Sequence, residues 1–194
     1  MSETAEPQRR MTNAEFFAWC ETQEEPYELV DGIPVPLWRH DPANPTMMSP
    51  PSRRHQDIAV NALVAVRARL RTPCWVTVGI AVPVVEGRTR VPDAVAACVE
   101  HDEAANVVDE PVLLVEVLSP TNEDVDRTVK LDEYKAIVSA REIWLVSSLK
   151  RWAQVWQRVG DTWHGVDVIG RGVIESPWLD SRVSLDELYA GVSL

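Results

Sequence analysis

Paired cysteines, long apolar runs and positive charge are all scarce in this chain of 194 residues. Its three cysteines, Cys20, Cys74 and Cys98, are scattered and odd in number. No C-x-x-C motif offers redox or zinc chemistry, and the pattern reads as buried, reduced thiols of a cytosolic protein. No apolar run approaches the roughly 20 residues that a membrane-spanning helix needs. The opening MSETAEPQRR is polar and mixed in charge, which does not suit a signal peptide. Residues 1–10 are therefore expected to form a frayed tail and residues 11–194 one domain, resident in the cytoplasm. Repeats, low-complexity tracts and linkers are absent. Lys and Arg number 19 against 30 Asp and Glu, a net charge of −11. That balance excludes a broad, non-specific grip on nucleic acid. It leaves room for a local basic patch (Arg53, Arg54, Arg67, Arg69 and Arg71 cluster) and for a metal ion that brings positive charge from outside.

What is present is an ordinary globular composition, 45% hydrophobic and 25% charged, with clear periodicity. Thr12 and Glu15 form a capping box that opens a helix to about residue 21. YELVDG and IPVPLW read as two extended pieces hinged at Asp31-Gly32. The proline-rich stretch 39–51 reads as a loop that serves as a flap. From Ser52 to Arg71, Ile58, Ala59, Ala62, Leu63, Val66 and Leu70 make one apolar helical stripe that also carries His55. Residues 74–86 and 89–99 read as two strands joined by a tight turn at Glu86-Gly87-Arg88. VLLVEVL (112–118) suits a fully buried central strand. A polar helix over about 122–138 follows, then the strand REIWLVS, a hairpin about Gly160-Asp161, and a last helix capped by Ser184 and Glu187. This order implies an α/β (α+β) fold, a mixed sheet flanked by helices.

Two acids interrupt apolar strands. Glu116 has only aliphatic neighbours, with Leu114 and Leu118 on its own face. An ionised carboxylate there costs several kcal/mol unless it is paired or bound to metal. Water-facing exposure or a structural pair with one Lys or Arg is the plainer alternative. Asp93 follows Pro92 in RVPDAVAACV and by itself would be a turn or bulge residue. Together, on consecutive strands of one sheet, the two can converge on a hard cation.

At this pair the sequence resembles the PD-(D/E)xK nuclease signature, with Leu118 where the usual lysine would stand. PYELVDG, SPPSRRHQ, VPDAVAA, PVLLVEVLSPT, the later D…K…Y and EIWLV are together similar to the Uma2 family, over residues 11–194. The resemblance implies a restriction-endonuclease-like fold. It also implies a site in which Asp93 and Glu116, with the backbone carbonyl of Val117, hold Mg²⁺ or Mn²⁺, and Lys130 replaces the missing lysine. Glu28 and His55 match two further polar positions as auxiliary residues. Helical spacing independently sets Asp126, Lys130, Tyr134, Ile137 and Val138 on one face, whose apolar end points it inward. Lys130 on an exposed charged face and His55 as a satisfied core histidine are the plainer alternatives. Ser147 and Ser148 stand where the family often has an aspartate.

Trp152 and Trp156 flank Gln154 on one strand face with Trp163 across the hairpin. They suit closure of a sheet or a dimer interface more than base stacking. Arg53 and Arg54 are candidate phosphate contacts. The implied activity is metal-dependent endonucleolytic hydrolysis of DNA. A homodimer is expected, since symmetric pairs are the commonest assembly and the tryptophan-rich hairpin offers a surface. The alternatives are a catalytically degenerate nuclease-fold module that binds nucleic acid or protein, and a hydrolase of small phosphoesters with the loop 39–51 as its lid.

Overall fold

The computed structural model describes residues 9–37, 51–100, 104–119 and 126–194. The tail over 1–8 and nearly all of the proline-rich loop fall outside these residues. Helix α1 (Asn13–Cys20) starts at the Thr12–Glu15 capping box and buries Phe16. Strands β1 (Tyr27–Val30) and β2 (Ile33–Pro36) form a hairpin. Asp31 and Gly32, both at positive φ, make the primed two-residue turn that such hairpins favour. A Cβ on Gly32 would lie 2.7 Å from Arg10 Cβ, so a larger residue is excluded there by space as well as by backbone conformation.

Helix α2 (Arg53–Arg67) is capped by Ser52 and buries Ile58, Ala59, Ala62, Ala65 and Val66. The region read as one long hairpin is instead divided between two sheets. Strand β3 (Trp75–Thr77) and β6 (Ala94–Ala97) pair in the central sheet, whereas β4 (Val82–Val85) and β5 (Arg88–Arg90) join β1 and β2 in a smaller one. Gly79 at φ +66° breaks the first long strand. Pro92, which has no N–H to donate, breaks the second. The β3–β6 register sets Trp75 opposite Ala97, which brings Cys74 and Cys98 together as a disulfide. This corrects the expectation of reduced thiols; Cys20 is free.

The apolar run becomes β7 (Pro111–Leu118), parallel to β8 (Glu142–Ser147). A parallel pair needs a crossover, supplied by a π-helical turn (Asp126–Lys130) that continues into α3 (Leu131–Ala136). The helix ends two residues earlier than its apolar pattern suggests. Val138, expected on the inward face, is 82% exposed. Strands β9 (Trp152–Val159) and β10 (Thr162–Ile169) form the expected hairpin. The short pair β11 (Val173–Ser176) and β12 (Ser181–Ser184), absent from the sequence reading, precedes α4 (Leu185–Leu188).

The central sheet thus runs β10-β9-β8-β7-β6-β3. One face packs α2 and α4 against Ala94, Ala96, Leu113, Val115 and Val117. The other packs Leu131, Tyr134 and Ile137 against Leu114, Leu118, Ile143 and Leu145. Among the described residues no helix is long and apolar enough to cross a membrane.

Candidate active site

Alternation along β7 fixes the geometry of the site. Leu114 and Leu118 belong to the α3 side of the sheet, and Glu116 shares their face. At 3% exposure its carboxylate is buried. Lys130, 6% exposed at the end of the π-helical turn, brings Nζ to 3.3 Å from Glu116 Oε1. One helical turn on, the Tyr134 hydroxyl donates to the same oxygen at 2.5 Å. The helix face read from the sequence therefore does deliver Lys130 to Glu116.

Glu28 enters from the smaller sheet. Its Oε1 lies 3.5 Å from Lys130 Nζ and accepts from the Val91 amide at 3.1 Å, while Oε2 accepts from Arg90 at 3.0 Å. Burial alone would raise the Glu28 carboxyl, but Lys130, Arg90 and the Val91 amide outweigh it and hold it below the usual carboxylate range. Arg90 also grips Glu133 with two parallel bonds of 2.6 and 2.9 Å, and Arg88 reaches Glu133 at 3.0 Å and Asp31 at 2.8 Å. The two carboxylates bonded to Arg90 raise its guanidinium pKa despite the opposing effect of burial. Sequence reasoning missed Arg90 and Glu133. No local pattern marked them, because the burial of Arg90 depends on its short strand meeting β1 and α3.

Asp93 lies across the strand pair from Glu116, since Ala94 is in register with Val115. β6 begins only after it, and the Asp93 side chain takes over the ladder. Its Oδ2 accepts from the Val117 amide at 2.7 Å. The carbonyls of Val112 and Leu118 accept from Arg141 and Ser148 on the β8 side. Even-numbered residues of β7 thus turn their backbone groups to β8. Odd-numbered ones turn theirs to β6, so the Val117 carbonyl faces the Asp93 side. His55, buried on α2, reaches Asp93 from the opposite face of the sheet, with Nε2 3.3 Å from Oδ2. Its Nδ1 is buried and has no hydrogen-bond partner among the described residues.

Glu28, Glu116 and Lys130 are thus gathered in one buried ionic network, and Asp93 and His55 adjoin it at the sheet edge. The donor set of Asp93, Glu116 and the Val117 carbonyl is all oxygen, which suits Mg²⁺ or Mn²⁺. Among the described residues no group of three or more His, Cys, Asp and Glu side chains could hold a metal ion. Magnesium, however, needs only one or two carboxylates with water and substrate oxygens. The two arginines part company. Arg54 donates to the Ser148 carbonyl at 3.3 Å, while Arg53 is exposed and pairs with Asp57 at 3.5 Å. The tryptophans close their own sheet face. Trp152 is buried, Trp156 and Trp163 are half-buried against the same core, and Lys135 sits 3.3 Å from the Trp156 ring centroid.

The fold has a solved counterpart. A crystal structure of a "putative nuclease belonging to DUF820" from Anabaena variabilis superposes with a TM-score of 0.70 at 15% identity, covering 93% of this chain and 98% of that one. No curated protein is similar enough in sequence to count as a match. The family model described as Uma2, "Putative restriction endonuclease", matches residues 14–186, which takes in both interrupting acids, Lys130 and Glu28. The chain belongs to the Uma2 family.

Proposed function

We propose that this protein is a nuclease that hydrolyses phosphodiester bonds of DNA with the help of Mg²⁺ or Mn²⁺. The observation that carries the reading is the register that sets Asp93 across from Glu116, with the Lys130 ammonium on the Glu116 carboxylate. Asp93, Glu116 and the Val117 carbonyl would hold the cation. Bound there, it would polarise a phosphoryl oxygen and lower the pKa of a water molecule. Lys130 orients the attacking water and offsets negative charge that develops at the phosphorus. Glu28 and Arg90 fix the lysine from behind, and Tyr134 fixes the carboxylate. His55 holds Asp93 from the α2 side. Arg53 and Arg54, at the start of α2, are the phosphate contacts of this reading. A symmetric pair of chains, each with one site, completes it.

The test is cleavage of plasmid and oligonucleotide substrates with Mg²⁺ or Mn²⁺. Wild type is expected to cut, and Asp93→Ala and Lys130→Ala to lose on the order of 100-fold or more, the scale on which single charge-stabilising groups act. Activity unchanged in Asp93→Ala would place the chemistry elsewhere.

One observation favours a second reading, a nuclease-fold module without catalysis. Glu28, Glu116 and Glu133 are already balanced by Lys130, Arg90 and Arg88, as in a structural ion network. Tight nucleic-acid binding with no turnover in any divalent cation would select it. Turnover of small phosphoesters but not of nucleic acids would instead select the small-molecule hydrolase.

A further inference from the structure

The two edges of the central sheet are guarded very differently. At one edge β3 has only three residues and is fastened to β6 by the Cys74–Cys98 bond. At the other, β10 runs for eight residues in unbroken register with β9. Long edges of this kind normally carry lysines, prolines, a bulge or a covering segment. β10, T-W-H-G-V-D-V-I, has no lysine, proline or bulge, and most of it is exposed.

Which of its backbone groups face outward follows from β9. The Arg158 amide donates to the Arg141 carbonyl, so even-numbered residues of β9 serve β8 and odd-numbered ones serve β10. The odd residues of β9 pair with Thr162, His164, Val166 and Val168. The amides and carbonyls of Trp163, Gly165, Asp167 and Ile169 therefore point away from the sheet. Of these, among the described residues, only the Ile169 carbonyl is taken, by the Gly172 amide at 3.0 Å. Two apolar side chains accompany this bare ladder, Val166 at 57% and Ile169 at 69% exposure.

We infer that β10 is the surface through which two copies of this chain associate, edge to edge and antiparallel, into one continuous sheet. A two-fold axis at Val166 makes the strand complementary to itself. The two Val166 side chains meet on the axis. Gly165 faces Asp167 of the second copy and exchanges backbone bonds with it, and Ile169 packs beside the second copy's Trp163. Both exposed apolar groups of the strand are then covered, and the free backbone groups find partners. Charge does not oppose the pairing locally. Asp167 is the strand's one acid, and its carboxylate already accepts from Gln154 Nε2 at 3.1 Å. The interface lies on the outer edge of the hairpin, not on its tryptophan face, and it does not depend on what the site catalyses.

Light scattering after size-exclusion chromatography tests this. The full chain is expected to show twice its 21.8 kDa mass. V166K, which would place two ammonium groups on the axis, is expected to show the single-chain mass with an unchanged circular dichroism spectrum. V166C is expected to give a covalent dimer on mild oxidation that wild type does not give. A wild type of single-chain mass, a V166K variant of the same mass as a dimeric wild type, or no covalent dimer from V166C would overturn the assignment.

Discussion

Glu116 and Glu142 lie on the adjacent parallel strands β7 and β8, both almost wholly buried, and their surroundings differ in kind. Glu116 meets an ammonium and a phenol, in a network that continues through Glu28, Arg90 and Glu133. Glu142, at the start of β8, accepts instead from neutral donors, the Ser176 hydroxyl, the Trp178 amide and the Trp144 indole. With no cation among those donors, burial raises its carboxyl above the ordinary value. The contrast teaches that a buried acid is not in itself a sign of chemistry. Glu142 ties the β11–β12 hairpin to the sheet. Glu116 lies across from an acid whose side chain bonds the Val117 amide, at a point where the β6 side of β7 has no strand partner among the described residues.

The largest effect should come from breaking the charge balance on the Glu116 side. Arg90→Ala leaves two buried carboxylates facing each other without their shared cation, and is expected to cost about 3–5 kcal/mol. Chemical denaturation measures it, and a loss below about 1 kcal/mol would mean that the network is more solvated than its burial implies. Glu142→Ala strands several donors without uncovering a charge, and is expected to cost less, about 1–3 kcal/mol by the same measurement.

The pH dependence sharpens the comparison, because the two ends carry opposite signs. The folded-state pKa of Glu142 lies above its ordinary 4.5, so between those values the folded chain binds more protons than the unfolded one. Its contribution therefore grows as pH falls through that window and declines as pH rises. Glu28, held below 4.5, contributes above the unfolded value and loses that contribution as pH falls through its folded value. The stability of wild type relative to Glu142→Gln should accordingly fall as pH rises from 4.5 through the folded-state value. Parallel curves would mean that folding does not raise the Glu142 carboxyl.

Much of the site was legible because its residues violate local patterns. Glu116 interrupts an aliphatic run, Asp93 follows a proline in a strand, and Lys130 shares a helical stripe with Tyr134. The same signal was not specific. Glu142 also stands at the head of an apolar run, in Arg-Glu-Ile-Trp-Leu-Val, and nothing in the sequence distinguishes its neutral cage from an ionic one. Arg90 and Glu133 were hidden for another reason. Their burial depends on β1, β5 and α3 meeting, a tertiary event without a local mark. The division of residues 74–99 between two sheets was masked by continuous β-forming residues, although Gly79 and Pro92 marked the breaks. The Cys74–Cys98 bond follows from the β3–β6 register, which sets Trp75 opposite Ala97 and so brings the two cysteines face to face.

In the proposed site Asp93 and Glu116 share one cation. Calorimetric titration of Mn²⁺ into wild type, Asp93→Asn and Glu116→Gln tests it without any need for turnover. Saturable binding of one ion by wild type, lost in both variants while their melting temperatures show them folded, is the predicted result. Binding that survives in either variant with its affinity unchanged, or none in the wild type, would contradict it.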